Sequence, residues 1–199
     1  HERLVMRNII YAVETGGQVY GQKDYADFTE AYTNSSSEHA ITIGAGQWYG
    51  NEARTLLLNI KSADAATFKK YDNAGVASDL TKTDWSNYRI SKTSAKAKAI
   101  VKIIDSAVGH RCQDKLVDTQ MEAAALGVTY MDAKMMCANF RHQGGASAVK
   151  RILAKTAKPY TLDHLYAACQ TDTGNQVGAY KSRQKMVYNA LKTHITNYK

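Results

Sequence analysis

The chain is poor in the residues that mark several protein classes. Its 199 residues include one proline, Pro159, and three cysteines, Cys112, Cys137 and Cys169. The cysteines are odd in number, widely spaced and without CxxC or Cys/His spacing. That pattern argues against a disulfide framework and against a zinc site, and it suits buried small residues of a protein made in a reducing cytoplasm. No apolar run approaches the ~20 residues needed to cross a bilayer. The opening His1-Glu-Arg-Leu-Val-Met-Arg7 is no secretory signal and has no initiator methionine, so it reads as the start of a processed, tagged or excised chain. Phenylalanine is scarce, at three residues against thirteen tyrosines. Acidic residues are outnumbered 18 to 26 by lysine and arginine, leaving a net charge of +8.

That charge favours an anionic partner: nucleic acid, an anionic membrane or the phosphate- and carboxylate-rich bacterial wall. The lysines are scattered at helical spacing rather than gathered into a tail, which also fits a solvated basic surface. Tyrosine pairs a stacking surface with a hydroxyl and suits sugar rings, or any polar groove. No basic-aromatic nucleic-acid motif is present. No His/Cys/Asp cluster has metal-ligand spacing, so neither metal nor cofactor is implied.

The period of apolar residues gives mostly helices. Val5, Ile9 and Val13 lie four apart with Met6 and Ile10 beside them, so residues 3–13 form one amphipathic helix stopped by Gly16 and Gly17. Residues 18–49 are the least helical. Asp24–Tyr32 reads as a short strand or irregular segment, Asn34–Ser37 as a loop, and Ala40–Ile43 as a β-rich run ended by Gly44 and Gly46. Asn51 is a plausible N-cap for a helix over 52–62. Further helices are expected over 64–72, 92–108 and 112–126, the last stopped by Gly127, with a mixed connector over 73–90. The helix opened near Asp132 and carrying Met135, Met136 and Cys137 is the most apolar, so it belongs at the centre of the core. It ends in Asn139–Gly145, and a helix resumes over 146–156. Pro159 breaks the chain, Thr161 caps a helix to Gln170, Gly174 opens the last connection, and 176–195 closes the fold. The expectation is one α+β, mostly α-helical domain over 1–199, with a β-rich segment over about 18–49 and a helical lobe over about 50–199.

Two stretches carry chemistry. Glu14 sits in the last turn of the first helix, one residue after a core position. The negative end of the helix dipole and partial burial both disfavour its charge, which pushes its pKa upward. A carboxyl kept protonated can act as a general acid; the alternative is a solvated or salt-bridged helix-end glutamate. The second stretch, Thr42-Ile-Gly-Ala-Gly-Gln47-Trp48-Tyr49-Gly50, is a glycine-rich turn followed by an amide and two aromatics. The two pieces are expected on opposite walls of one groove.

In order, these pieces resemble the lysozyme-like superfamily. Ala45-Gly-Gln47-Trp-Tyr-Gly-Asn-Glu-Ala53-Arg54 resembles the Gly-Leu-Met-Gln segment of soluble lytic transglycosylases and goose-type lysozymes. Ala138-Asn139-Phe-Arg-His-Gln-Gly144 resembles their Ala-Tyr-Asn-Ala-Gly segment, with extra residues between Asn139 and Gly144. Thr42-Ile-Gly-Ala-Gly46 is similar to a strand turn of phage lysozymes, and Gly178-Ala-Tyr-Lys-Ser-Arg183 to their Gly-Leu-x-x-Arg-Arg element. The resemblance implies a lysozyme-like fold and a phage endolysin or wall hydrolase of Gram-positive bacteria. It would be a monomer with no membrane span and no nucleic-acid partner, acting on cell-wall peptidoglycan.

It further implies that Glu14 protonates the glycosidic oxygen between N-acetylmuramic acid and N-acetylglucosamine. Gln47 would hydrogen-bond an N-acetyl or hydroxyl group, or satisfy the backbone of its own turn. Trp48 and Tyr49 would stack on sugar or lie in the core. Asn139 would contact substrate or tie a cleft-lining turn together. His142 is a cleft residue or an exposed surface histidine, and Tyr180 and Arg183 belong to groove or scaffold. Glycoside hydrolysis usually takes a second carboxylate. Among Asp24, Asp27, Glu30 and Glu38, Glu38 lies nine residues before Gln47, where goose-type enzymes place an acid; the matching phage-lysozyme position is Ser36. Lytic transglycosylases work with one glutamate and leave 1,6-anhydro products. Outside this family, a chitosan-type glycosidase is an awkward match for a +8 protein, and a non-catalytic wall- or nucleic-acid-binding module leaves Glu14 and the Gly-x-Gly-Gln turn without a use.

Overall fold

The computed structural model describes residues 2–15, 19, 23–123, 127–173 and 176–195. Gly16, Gly17 and Gly174, expected to punctuate helices, lie outside the described residues. Those described form ten helices and one three-stranded antiparallel sheet near the N-terminus. The chain's contacts divide it into two compact units, residues 23–116 and residues 1–22 with 117–199. The sheet shares its unit with the helices that follow it, up to residue 116.

The unit of residues 23–116 holds the sheet. Strand β1 (Phe28–Thr29) pairs with β2 (Thr42–Ile43), and β2 with β3 (Trp48–Tyr49). Phe28 faces Ile43 across the first pair, and Ile43 faces Trp48 across the second. Helix α2 (Asn51–Ala63) buries Ala53, Leu56, Leu57 and Ile60 on one face at helical spacing. Asn51 is not its cap. Gly50 precedes the helix, and the Asn51 side chain instead accepts from the Trp85 amide at 2.7 Å and donates to Asp84 at 3.1 Å. Asp64 caps α3 (Ala65–Tyr71), and a short α4 (Val76–Asp79) follows.

The 73–90 connector, irregular in sequence, turns out to be a buried knot. Trp85 is fully buried, stacks on Tyr88 with ring centroids 3.9 Å apart, and donates its indole N–H to the Asp79 carbonyl. The Asp79 carboxylate accepts from the Tyr88 hydroxyl and from Lys96 Nζ, each at 2.6 Å. Helix α5 is shorter than expected, Ala95–Ile104, and α6 begins early, at Ala107, running to Ala123. Gly109, in the gap expected between helices over 92–108 and 112–126, lies inside α6. A Cβ there would come within 2.3 Å of the Ile104 carbonyl, so only glycine lets α6 start so close to the end of α5. The fully buried Gln113 of α6 holds three backbone groups together. Its Oε1 accepts from the Ala45 amide at 2.9 Å, and its Nε2 donates to the Tyr25 and Ile104 carbonyls.

The other unit contains α1 (Glu2–Thr15), α7 (Met131–Lys155), α8 (Leu162–Gln170), α9 (Gln176–Ala179) and α10 (Lys181–Ile195). Helix α1 buries Val5, Met6, Ile9, Ile10, Tyr11 and Ala12, while Val13 is half-buried. Helix α7 packs against α1, α8, α9 and α10. Its Met135, Met136, Cys137 and Phe140 are fully buried, as its composition demanded. The break expected at Gly145 is a kink with φ of 73°, beyond which the helix resumes. The closing helix is split at Tyr180 into α9 and α10. The fully buried Asp172 carboxylate ties this unit together, receiving Arg151 through both oxygens and Lys155 at 3.0 Å. Cys137 and Cys169 are buried thiols, but Cys112 is half-buried. Among the described residues no helix is long and apolar enough to cross a membrane.

Replacing Gln113 with alanine orphans the buried Ala45 amide and the Tyr25 and Ile104 carbonyls. Urea denaturation of Gln113→Ala should show a loss of about 1–3 kcal/mol; an unchanged midpoint would mean that water replaces the amide without cost.

Candidate functional site

Glu14 lies near the carboxyl end of α1, where the helix leaves unsatisfied carbonyls and a negative partial charge. Its side chain is only 15 % exposed. Two nitrogens reach the same oxygen: Arg183 Nη1 lies 2.6 Å from Oε1, and His142 Nε2 lies 3.1 Å from it. Helix α7 supplies His142 and α10 supplies Arg183. Burial raises the Glu14 pKa, but the hydrogen bond and charge of His142, then Arg183, outweigh it and hold the carboxyl below its ordinary 4.5. The sequence-based expectation of an upward shift is therefore reversed. Burial acts in the expected direction, and the two partners that overcome it are distant in sequence. His142 is no exposed surface histidine; its side chain is 6 % exposed.

A chain of amides backs this cluster. Arg183 Nε donates to Asn139 Oδ1 at 3.1 Å, and Asn139 Nδ2 donates to Gln184 Oε1 at 2.6 Å. Gln184 Nε2 in turn donates to Gln143 Oε1 and to the Val177 carbonyl. Asn139 and Gln184 are fully buried, so of the two roles expected for Asn139 the structure shows tying, through Arg183, rather than a surface open to ligand. Arg183 Nη2 is buried without a hydrogen-bond partner, a donor unspent beside the carboxylate. Tyr180, between α9 and α10, is 53 % exposed and makes none of these contacts.

The second constellation lies within the sheet-bearing unit. Gln47 adopts a left-handed φ of 52° and closes the β2–β3 turn, its amide N–H donating to the Gly44 carbonyl at 3.0 Å. Its side-chain Nε2 donates to Asp27 Oδ2 at 2.6 Å and again to the Gly44 carbonyl at 3.1 Å. The donors expected to meet an N-acetyl group are thus spent on the turn. Trp48 is core, 3 % exposed, with its ring packed where Cβ atoms on Gly44 and Gly46 would stand. Tyr49 is half-buried and its hydroxyl accepts from the His39 amide at 2.8 Å. Glu38 is half-buried on the loop before β2, where its backbone carbonyl accepts from the Tyr32 amide. Asp24 is exposed; partial burial, then Asp27 and Asp105, push its pKa upward. Glu14 belongs to one compact unit, and Gln47, Glu38 and Asp27 to the other.

His142 and Arg183 stand out in the sequence, but their pairing with Glu14 does not, and the buried Gln113 carries no local signal. A histidine and an arginine on separate late helices carry no spacing that pairs them with residue 14. Among the described residues no group of three His, Cys, Asp or Glu side chains is placed to hold a metal ion. No family model matches the sequence, and neither a curated protein nor a solved structure matches the chain.

The lowered pKa of Glu14 makes its charge stabilising above pH 4.5, and that contribution disappears as the pH falls through the folded-state value. Glu14→Gln should therefore cost about 1–3 kcal/mol near neutrality, with wild type and variant converging in acid. Thermal melts from pH 3 to pH 7 measure this; a pH-independent gap would show that charge at Glu14 contributes nothing.

Proposed function

We propose that the chain is a peptidoglycan-cleaving glycosidase of lysozyme-like fold, in which Glu14 protonates the glycosidic oxygen between N-acetylmuramic acid and N-acetylglucosamine. The observation that carries this reading is the enclosed Glu14 carboxylate with a histidine hydrogen-bonded to its Oε1. The ordered motifs support it: a glutamate ending the first helix, a small antiparallel sheet, a Gly-x-Gly-Gln turn feeding a helix, and the Asn139 and Arg183 segments late in the chain.

The chemistry follows from the pair. Bond cleavage needs a proton on the leaving oxygen, yet Arg183 and His142 favour the carboxylate. When His142 is protonated the pair still holds a transferable proton, on Nε2 rather than on Oε1. Passing it along the 3.1 Å hydrogen bond leaves His142 and Glu14 both neutral, and the Glu14 carboxylic acid delivers the proton to the glycosidic oxygen as the C–O bond breaks. Glu14 then returns to the ionised state that Arg183 stabilises. The positive sugar carbon is captured by water in a hydrolase, or by the sugar's own 6-hydroxyl in a lytic transglycosylase. Peptidoglycan is the substrate, the bacterial wall is the place of action, and the +8 charge favours that polyanionic surface.

A second reading is favoured by the lowered pKa itself: Glu14 is a buried ionic anchor joining α1 to α7 and α10, with no part in catalysis.

Mass spectrometry of muropeptides released from purified peptidoglycan separates them. Wild type should release products and Glu14→Gln should fall by roughly 10²–10⁴-fold, with circular dichroism confirming that the variant remains folded. Reducing muramic ends would mean hydrolysis, and anhydromuramic ends, one water lighter, the one-glutamate route. Turnover retained in Glu14→Gln would leave only the anchor, and no product from either protein would overturn the enzyme reading.

A further inference from the structure

Within the sheet-bearing unit, a cavity of about 280 Å³ opens beside the loop that precedes β2, lined by Glu30, Tyr32, Arg89 and Ser91 among others. None of these is needed for the chemistry of Glu14. Tyr32 is a bulky residue held at a left-handed φ of 65° and is 44 % exposed. That conformation costs on the order of 1–3 kcal/mol for such a side chain, yet it presents an aromatic ring to solvent. The ring is fixed on two sides: its hydroxyl hydrogen-bonds His39 Nδ1 at 3.1 Å, and the Arg89 guanidinium lies 5.2 Å from its centroid. Arg89 has no carboxylate partner among the described residues, and a guanidinium stacked on an aromatic keeps its in-plane N–H fork available for an anion. On the same cavity Glu30 is held in place by the Lys92 amide and the Ser91 hydroxyl, which lower its pKa and keep it ionised.

Glu30 and Arg89 therefore line one small cavity without pairing with each other. A plain anion drawn to Arg89 meets the Glu30 carboxylate, and a plain cation drawn to Glu30 meets the guanidinium. A ligand carrying both charges complements both walls. We propose that this cavity binds a zwitterionic peptide segment, its carboxylate on Arg89, its ammonium on Glu30 and its chain against the Tyr32 ring. Resting on the wall-glycan reading, the occupant is the stem peptide carried by the muramic residue, which would make peptide-bearing glycan the preferred substrate. A free amino acid is the other source of the same chemistry.

The probe is the stem tetrapeptide L-Ala-γ-D-Glu-L-Lys-D-Ala, titrated into the full 199-residue chain by calorimetry. The expected result is saturable binding, weakened at least roughly tenfold by Arg89→Ala, partly restored by Arg89→Lys, and weakened comparably when the peptide's amine is acetylated. Melting curves check that the variants remain folded. Absent binding, or equal binding by Arg89→Ala, overturns the proposal, and free alanine binding as tightly as the tetrapeptide overturns the peptide as occupant. The titration reads binding, not cleavage. Peptide binding without muropeptide release would sink the glycosidase reading alone, and release without peptide binding would sink this inference alone.

Discussion

A carboxylate near the carboxyl end of a helix, mostly out of water, is unfavourable on two counts, and the unit that contains α1 is arranged to offset both. The helix dipole and burial oppose the charge of Glu14; Arg183 at 2.6 Å and His142 at 3.1 Å restore it. Neither partner could do so if α7 and α10 were not packed against α1. The buried amides behind them make that packing specific. Asn139 holds Arg183, Gln184 holds Asn139, and each bond fixes the rotamer of the next. In such a low-dielectric network a missing member costs more than one hydrogen bond, because the group left behind stays buried.

The same logic runs through the sheet-bearing unit with different residues. Its β2–β3 turn is a polar object in an apolar setting, and Gln113 and Gln47 supply the donors and acceptors that its backbone lacks internally. Asp79 plays the equivalent part for the Trp85–Tyr88 stack, accepting from Tyr88 and Lys96. Each unit is thus built around a buried polar group satisfied by residues remote in sequence, with the apolar helix faces closing over it.

For function, the consequence is a division of labour. The proposed proton donor sits in a buried polar network with one Arg183 donor left over, and its titration is governed by His142 and Arg183 rather than by burial alone. Gln47, a candidate for substrate contact, donates to Asp27, and Trp48 lies in the core. An exposed aromatic and a cation with no carboxylate partner among the described residues lie elsewhere, at Tyr32 and Arg89, where a left-handed backbone and a guanidinium over the ring coincide.

Local pattern alone fixed the helical face of α1, the apolar centre of α7, the stop at Gly145, the cap at Thr161 and the short sheet ahead of α2, because each rests on spacing within a few residues. It misplaced the start of α6, because the close approach of Gly109 to the Ile104 carbonyl that lets the helix begin at Ala107 is a contact between two helix ends and leaves no periodic trace. It marked Glu14 as unusual from position alone, yet assigned the wrong sign to its pKa shift, because the sign belongs to side chains more than a hundred residues away. Likewise the choice between substrate contact and turn support at Gln47, and between stacking and core at Trp48, depends on which neighbours fill the space. Periodicity and capping are short-range and written in the chain; charge compensation and the satisfaction of buried polar groups are decided only when distant helices meet.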